Sequence, residues 1–350
     1  MGDGTGHRVL ITGISGRLAG KLAARLESDE RVEHLAGVDL AEPSCDLART
    51  EFVRADVRDP LVAKVIEAAR VDTIVHLGLL ATPRSAGGRA RMKELNVIGT
   101  MQLLGGAQKA SALRKVIVQS TTAVYGQYGP EPAQFTEDAP VDSGPAHGYA
   151  RDAREIERYA RGFARRHRDA PVTVLRFANL LGPWVESPMM RYLSLPVVPT
   201  MLGHDPRLQL CHEDDAVEVL ARSVMEDHPG TFNVAGPGVL YLSQALRIAG
   251  RPAVPTFAPL TRSLARLLRA AGQFDFASDQ MGWLQYGRVG DVTRLRERFG
   301  YEPRYDAQAA LADFLAARGI EPLLDRDTAV RLEHRLYERL ARCGAAARGS

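Results

Sequence analysis

Six short apolar stretches recur along the first half of the chain: RVLIT (8–12), HLAGVD (34–39), EFVRAD (51–56), DTIVHL (72–77), KVIVQS (115–120) and VTVLRF (172–177). They are rich in valine, isoleucine or leucine and shorter than an ordinary helix, the pattern of strands buried on both faces. Between them apolar positions fall at helical spacing, as in Leu18, Leu22 and Leu26, or Leu61, Val65 and Ala69. Strand and helix in strict alternation predict an α/β fold: a Rossmann-type, doubly wound parallel sheet, since each parallel connection needs a crossover that packs against the sheet.

The pattern changes near residue 180. GPWVESPMMRYLSLPVVPT is interrupted by prolines, which predicts loop-rich material over the carboxyl edge of the sheet, where such folds bind ligands. TFNVAG (231–236) is expected to return to the sheet as a late strand. The expected organisation is a sheet domain over 1–178, joined again by 210–235, with a smaller interleaved substrate-binding region over 179–209 and 236–325. Residues 326–350 form a C-terminal amphipathic helix and tail in this reading. Two stripes stand out there and upstream: Leu260, Leu264, Leu267, Leu268 and Ala271 in 260–272, and Leu332, Leu336, Leu340 and Cys343 in 330–343. Core or dimer packing is the ordinary use of such stripes; a lid over a lipophilic substrate, or a membrane-surface contact, is the weaker alternative.

Composition narrows the function classes. The 350 residues carry 45 Lys and Arg against 42 Asp and Glu, a net charge of +3 with no basic tract, so nucleic acid is not an expected partner. Cys45, Cys211 and Cys343 are far apart and show no metal-ligand spacing, and neither does the acidic run after His212, which reads as a helix start. The N-terminus lacks a charged start followed by an apolar segment, and no run approaches the ~18 apolar residues of a membrane span. A reduced, cytoplasmic protein acting on a small molecule, without a metal, is the expectation.

The first candidate site is ITGISGRLAGKL. Gly13 and Gly16 end the first strand and open the first helix, where backbone N–H groups and the helix N-terminus suit a pyrophosphate. Asp39 closes the second strand, placed to accept hydrogen bonds from ribose hydroxyls and to repel a 2′-phosphate, which favours NAD over NADP. Asp56, with Val57, is a candidate adenine contact; a helix cap is the alternative use, which Asp59 before Pro60 fits better.

With these motifs in order, TGISGRLA, ADVRD, VHLG, ELNVIGT, VQSTTAVYG, the Tyr149 segment, LRFANLLGP and CHEDDA, residues 8–317 resemble the extended short-chain dehydrogenase/reductases. More closely the chain resembles the NAD-dependent epimerase/dehydratase family, in its actinobacterial UDP-glucose 4-epimerase-like branch. The resemblance implies NAD held by Gly13, Gly16, Arg17, Leu18, Asp39, Asp56 and Val57. It places Leu77 and Gly78 beside the pyrophosphate, and Asn96 as support for the active-site helix. Thr121 becomes the hydroxyl that polarises the reacting oxygen, Tyr149 the proton-transfer group, and Asn179 with Arg288 the substrate contacts. A homodimer is typical of the family. Nucleotide sugar is the leading substrate class; a carbonyl reductase with a non-sugar substrate and a silent NAD-binding sensor are the alternatives.

HGYARDARE (147–155) departs from the family pattern. The lysine that should follow Tyr149 by one helical turn is Ala153. Bringing a phenol of pKa ~10 near neutrality costs roughly 4 kcal/mol, of which an ammonium ~6 Å away at an effective dielectric of ~20 supplies roughly 2.8 kcal/mol. Asp152 would oppose ionisation if it faced the phenol, while Arg154, one residue late on the helix, is the candidate replacement charge. Three readings follow: Tyr149 works with help from Arg154 and the cofactor's positive ring, the site is slow or uses another group, or it is silent.

Overall fold

The computed structural model describes residues 6–126, 134–141, 148–256, 283–323, 328 and 331. The stripe predicted over 260–272 and, apart from Arg331, that over 330–343 with Cys343 lie outside the described residues, as does His147. The main strands are β1 (His7–Thr12), β2 (Val32–Asp39), β3 (Thr50–Arg54), β4 (Thr73–His76), β5 (Lys115–Thr121) and β6 (Val172–Phe177). Four short strands follow, β7 (Asn179–Leu181), β8 (Val198–Met201), β9 (Arg207–Leu208) and β10 (Leu210–His212), before β11 (Gly230–Val234), β12 (Leu240–Tyr241) and β13 (Ala253–Thr256).

Seven of these form one parallel sheet among the described residues, in the order β11-β6-β5-β4-β1-β2-β3. The doubly wound α/β expectation holds, and TFNVAG joins the sheet edge in register with β6. Side-chain alternation explains why the central strands carry apolar residues on both faces. Val9 and Ile11 of β1 face the Arg17–Glu27 and Glu213–Met225 helices, whereas Leu10 faces the core shared with the Leu61–Ala68, Gly99–Ala107 and Gly148–Arg166 helices.

The predicted stripe Leu18, Leu22 and Leu26 is buried in the Arg17–Glu27 helix. The second predicted stripe is out of phase. In the Leu61–Ala68 helix Val62 and Ile66 are the buried residues, and Leu61 is 41% exposed. LVAKVIEA offers two apolar stripes one residue apart, and the start of the helix selects between them: the Asp59 carboxylate accepts from Leu61 N at 2.8 Å. Asp59 thus fixes the first turn and leaves Val62 facing the sheet.

The proline-rich region is more ordered than its composition implies. Ser187 Oγ accepts from Met190 N at 3.1 Å and starts the Pro188–Leu193 helix, while β8 pairs with β13. A separate apolar core, including Met189, Tyr192, Leu246, Leu311 and Phe314, holds this region over the carboxyl edge. No helix among the described residues is long and apolar enough to cross a membrane.

Chain order decides where a ligand can sit. From β1 the chain runs outward through β2 and β3, then returns to β4 on the other side of β1. The loops after β1 and β4 therefore diverge, leaving a crevice between their carboxyl ends.

Candidate active site

A cleft of about 740 Å³ occupies that crevice, within the ~300–1,000 Å³ usual for small-molecule sites. Gly13 has φ +78° and its N–H donates to Val38 O at 3.0 Å. A Cβ at Gly13 would lie 2.8 Å from Gly78 Cα, so these two loops approach closely only because residue 13 is glycine. Gly16 then begins the Arg17–Glu27 helix without any side-chain cap, and Arg17, Leu18 and Ala19 line the cleft. A helix start uncapped by side chains beside a glycine cradle fits a pyrophosphate. Asp39 lines the same cleft; one carboxylate oxygen accepts from Ser15 N (3.0 Å) and Ser15 Oγ (2.6 Å), the other from Leu40 N (2.7 Å). These bonds fix the orientation of the carboxylate at the cleft wall.

A polar chain beneath the cradle is absent from the sequence reading. Thr100 Oγ1 donates to Asn96 O at 2.5 Å, so His76 Nε2 donates to Thr100 Oγ1 (2.8 Å) and His76 Nδ1 accepts from Thr12 Oγ1 (2.6 Å). Burial lowers the His76 imidazole to about 4 and keeps it neutral. Asn96 is also buried: its carbonyl accepts from Leu80 N at 2.8 Å, and its amide donates to Leu80 O (3.0 Å) and Asp152 Oδ2 (3.2 Å). Asn96 does not line the cleft itself. It holds the Leu77–Leu80 loop, which does, and ties that loop to the tyrosine helix.

Of the candidate adenine contacts, Val57 lines the cleft and Asp56 does not. The Asp56 carboxylate is occupied by Arg58, which donates through Nε (2.9 Å), Nη2 (2.7 Å) and its backbone N–H (2.9 Å). Those bonds hold its pKa below the ordinary aspartate value. In this geometry Asp56 stabilises the turn through Arg58.

Thr121 ends β5 and caps the turn Thr122–Tyr125, its hydroxyl accepting from Ala123 N at 3.2 Å. The same hydroxyl neighbours the phenol of Tyr149 and favours its ionised form, and both residues line the cleft. Neighbouring Ser120 is drawn beneath, donating to Glu157 at 2.6 Å within a buried Glu157–Arg176 pair. Burial raises the Tyr149 pKa above that of a free phenol, opposed by the Thr121 hydrogen bond and the charge of Arg288.

The charges nearest Tyr149 in sequence point elsewhere. Asp152 is buried and pairs with Arg89 through both guanidinium amino groups, and Arg89 also donates to Gly148 O at 3.1 Å. Its carboxylate therefore does not confront the phenol. Arg154 is buried below the cleft, its Nε donating to Val124 O at 2.7 Å, and it does not line the cavity. The expectation that Arg154 serves Tyr149 is corrected: its late helical position carries it toward the 3₁₀ turn after β5. Ala153 is fully buried among Val124, Tyr125, Phe135 and Val141.

On the substrate side, Asn179 lines the cleft and donates to Gln209 O at 3.2 Å. Asp291, the residue after Gly290, which bridges to Phe135, accepts from Thr293 N at 2.7 Å at the start of the Thr293–Glu297 helix. Arg288 is left to line the cleft, its Nη1 donating to Ala123 O at 3.3 Å. Arg91 and Arg191 line it too, and Glu186 lies between Arg191 (3.3 Å) and Arg17 (3.5 Å). Lone arginines carry no motif, so Arg91 and Arg191 were invisible in sequence.

A glycine cradle at a topological switch point, the Asp39 carboxylate and the Thr121–Tyr149 pair thus share one cleft of a dinucleotide-binding fold. The chain belongs to the NAD dependent epimerase/dehydratase family, whose model matches residues 9–235. An uncharacterized protein of Mycobacterium tuberculosis is 42% identical over 321 residues, 91% of this chain and 85% of its own length. The solved structure of MoeE5 in complex with UDP-glucuronic acid and NAD has a TM-score of 0.70 and 19% identity, covering 89% of this chain and 99% of its own. UDP-glucuronic acid 4-epimerase from Bacillus cereus, in complex with UDP-glucuronic acid and NAD, gives 0.69 and 16%, covering 90% and 100%. At these identities the two structures speak for the fold.

Proposed function

We propose that the protein is an NAD-dependent enzyme of epimerase/dehydratase type that oxidises a carbinol of a nucleotide sugar transiently. The observation that carries this reading is that Thr121 and Tyr149 line the same cleft as Gly13, Gly16 and Asp39. Bound NAD would supply the hydride acceptor and donor; Gly13, Gly16, Arg17 and Leu18 would hold its pyrophosphate and Asp39 its ribose. Thr121 orients the reacting hydroxyl. Tyr149, as phenolate, takes the hydroxyl proton while the carbon-bound hydrogen leaves as hydride, and returns a proton when the hydride comes back. Arg91, Arg191 and Arg288 outnumber Glu186 on the substrate side, which favours an anionic substrate. The relatives solved with UDP-glucuronic acid support the same class.

The test is incubation with NAD and, separately, UDP-glucose, UDP-galactose and UDP-glucuronic acid, with products resolved by NMR and mass spectrometry. Conversion of at least one sugar without net NADH accumulation is expected. Stoichiometric NADH consumption with a carbonyl substrate would mean a reductase instead. Tight NAD binding with no conversion or hydride exchange would mean a binding module.

A further inference from the structure

The cleft has a tyrosine but no lysine on its helix, and the packing shows why none could be recruited nearby. Ala153 is enclosed by apolar side chains, Asp152 is held by Arg89 and Asn96, and Arg154 is spent on Val124 O. A cation for the phenol must come from another element.

Arg288 enters the same cleft from another segment, between the Trp283–Tyr286 and Thr293–Glu297 helices. It is joined to the tyrosine's own partner through the β5 turn: Ala123 N–H donates to Thr121 Oγ1, and Ala123 O accepts from Arg288. Gly287, at φ +68°, lets this segment lie against Arg207, since a Cβ there would sit 2.1 Å from Arg207 O. The arginine is therefore delivered by a fixed backbone path.

We propose that Arg288 supplies the positive charge that activates Tyr149, taking from a distant segment the role that a lysine at position 153 would play on the tyrosine's own helix. The inference rests on Tyr149 being the proton-transfer group. Other charged or titratable groups around the cleft are arranged differently. His76 is neutral within its Thr12–Thr100 chain, Asp39 is bonded to Ser15, and Glu186 is paired with Arg17 and Arg191. Arg91 lines the wall contributed by the Arg89–Lys93 helix. Among the described residues, Thr121 and Arg288 favour the phenolate against burial. Burial lowers the Arg288 guanidinium only to about 10, so it remains a cation at neutral pH.

The experiment is a tyrosinate absorbance titration of NAD⁺-loaded protein, with the Tyr149→Phe spectrum subtracted to isolate one phenol. Arg288→Gln is expected to raise the midpoint by about one pH unit or more, the size of effect expected on losing a nearby opposite charge. Arg288→Lys is expected to restore most of the shift, which separates charge from shape. An unchanged midpoint in Arg288→Gln overturns the inference, as does a wild-type phenol that stays protonated up to about pH 11. If Arg288→Gln raises only KM for a converted sugar and leaves the midpoint in place, Arg288 is an anion contact and the inference also falls. The titration needs no turnover, so a failed substrate panel with a moved midpoint would remove the proposed reaction and leave the electrostatic pairing standing.

Discussion

His76 is closed off from solvent at the end of β4, and burial holds its imidazole at about 4, against ~6.5 in an unfolded chain. Between those values the unfolded chain carries a proton on this ring and the folded chain does not. The folded state therefore loses stability as pH falls from about 6.5 toward 4, and the contribution is whole again above 6.5. At 1.36 kcal/mol per pH unit the full loss is about 3 kcal/mol, undiminished by solvent screening because the ring is buried. The proton chain makes the cost specific: protonation would force Nδ1 to become a donor toward Thr12, whose hydroxyl now donates to it. Thr12 and His76 immediately precede Gly13 and the Leu77–Gly78 loop, so the strain falls on the cradle. The assay is equilibrium urea unfolding of the wild type and His76→Gln at several pH values from 7.5 to 4.5. His76→Gln is expected to start less stable by about 1–3 kcal/mol, from the lost Thr12 hydrogen bond, and then to close on the wild type as pH falls. Carboxylates titrate in both proteins and cancel in the comparison. Parallel curves between pH 6 and 4.5 would refute the assignment of a buried neutral ring.

Two further outcomes test the cofactor site. Gly13→Ala places a methyl 2.8 Å from Gly78 Cα at a positive φ that costs alanine about 1–2 kcal/mol, and should raise the NAD Kd at least about tenfold by calorimetry while lowering Tm. Asp39→Asn keeps an acceptor for Ser15 but removes a charge worth about 3 kcal/mol against a phosphate charge ~6 Å away, so preference for NAD over NADP should fall by about 10²-fold in competition binding.

The sheet was legible because strands buried on both faces leave uninterrupted apolar runs, and Gly13 because a tight strand-to-helix turn admits little else. Local spacing failed where long-range packing decides. The Leu61 stripe and the Val62 stripe look alike until the Asp59 bond to Leu61 N fixes the first turn and sets Val62 against the sheet. Arg154 was chosen for its closeness to Tyr149 in sequence, yet the helix turns it toward Val124 O, while Arg288 arrives from a distant segment. Asp56 carries a carboxylate in the expected place, but Arg58 two residues later occupies it. The His76 chain left no sequence signal, since threonine and histidine in apolar strands have many uses. The short pairs β8–β13 and β9–β12 were hidden by prolines and by their length.

The central claim is that Tyr149 moves a proton in concert with hydride transfer in this cleft. The most direct measurement is rapid mixing of NAD⁺-loaded protein with a converted UDP-sugar, following NADH absorbance at 340 nm in the wild type and Tyr149→Phe. A transient NADH signal in the wild type, slowed at least about 10²-fold in Tyr149→Phe with NAD binding unchanged, is the predicted result. An identical transient in both proteins would contradict the account.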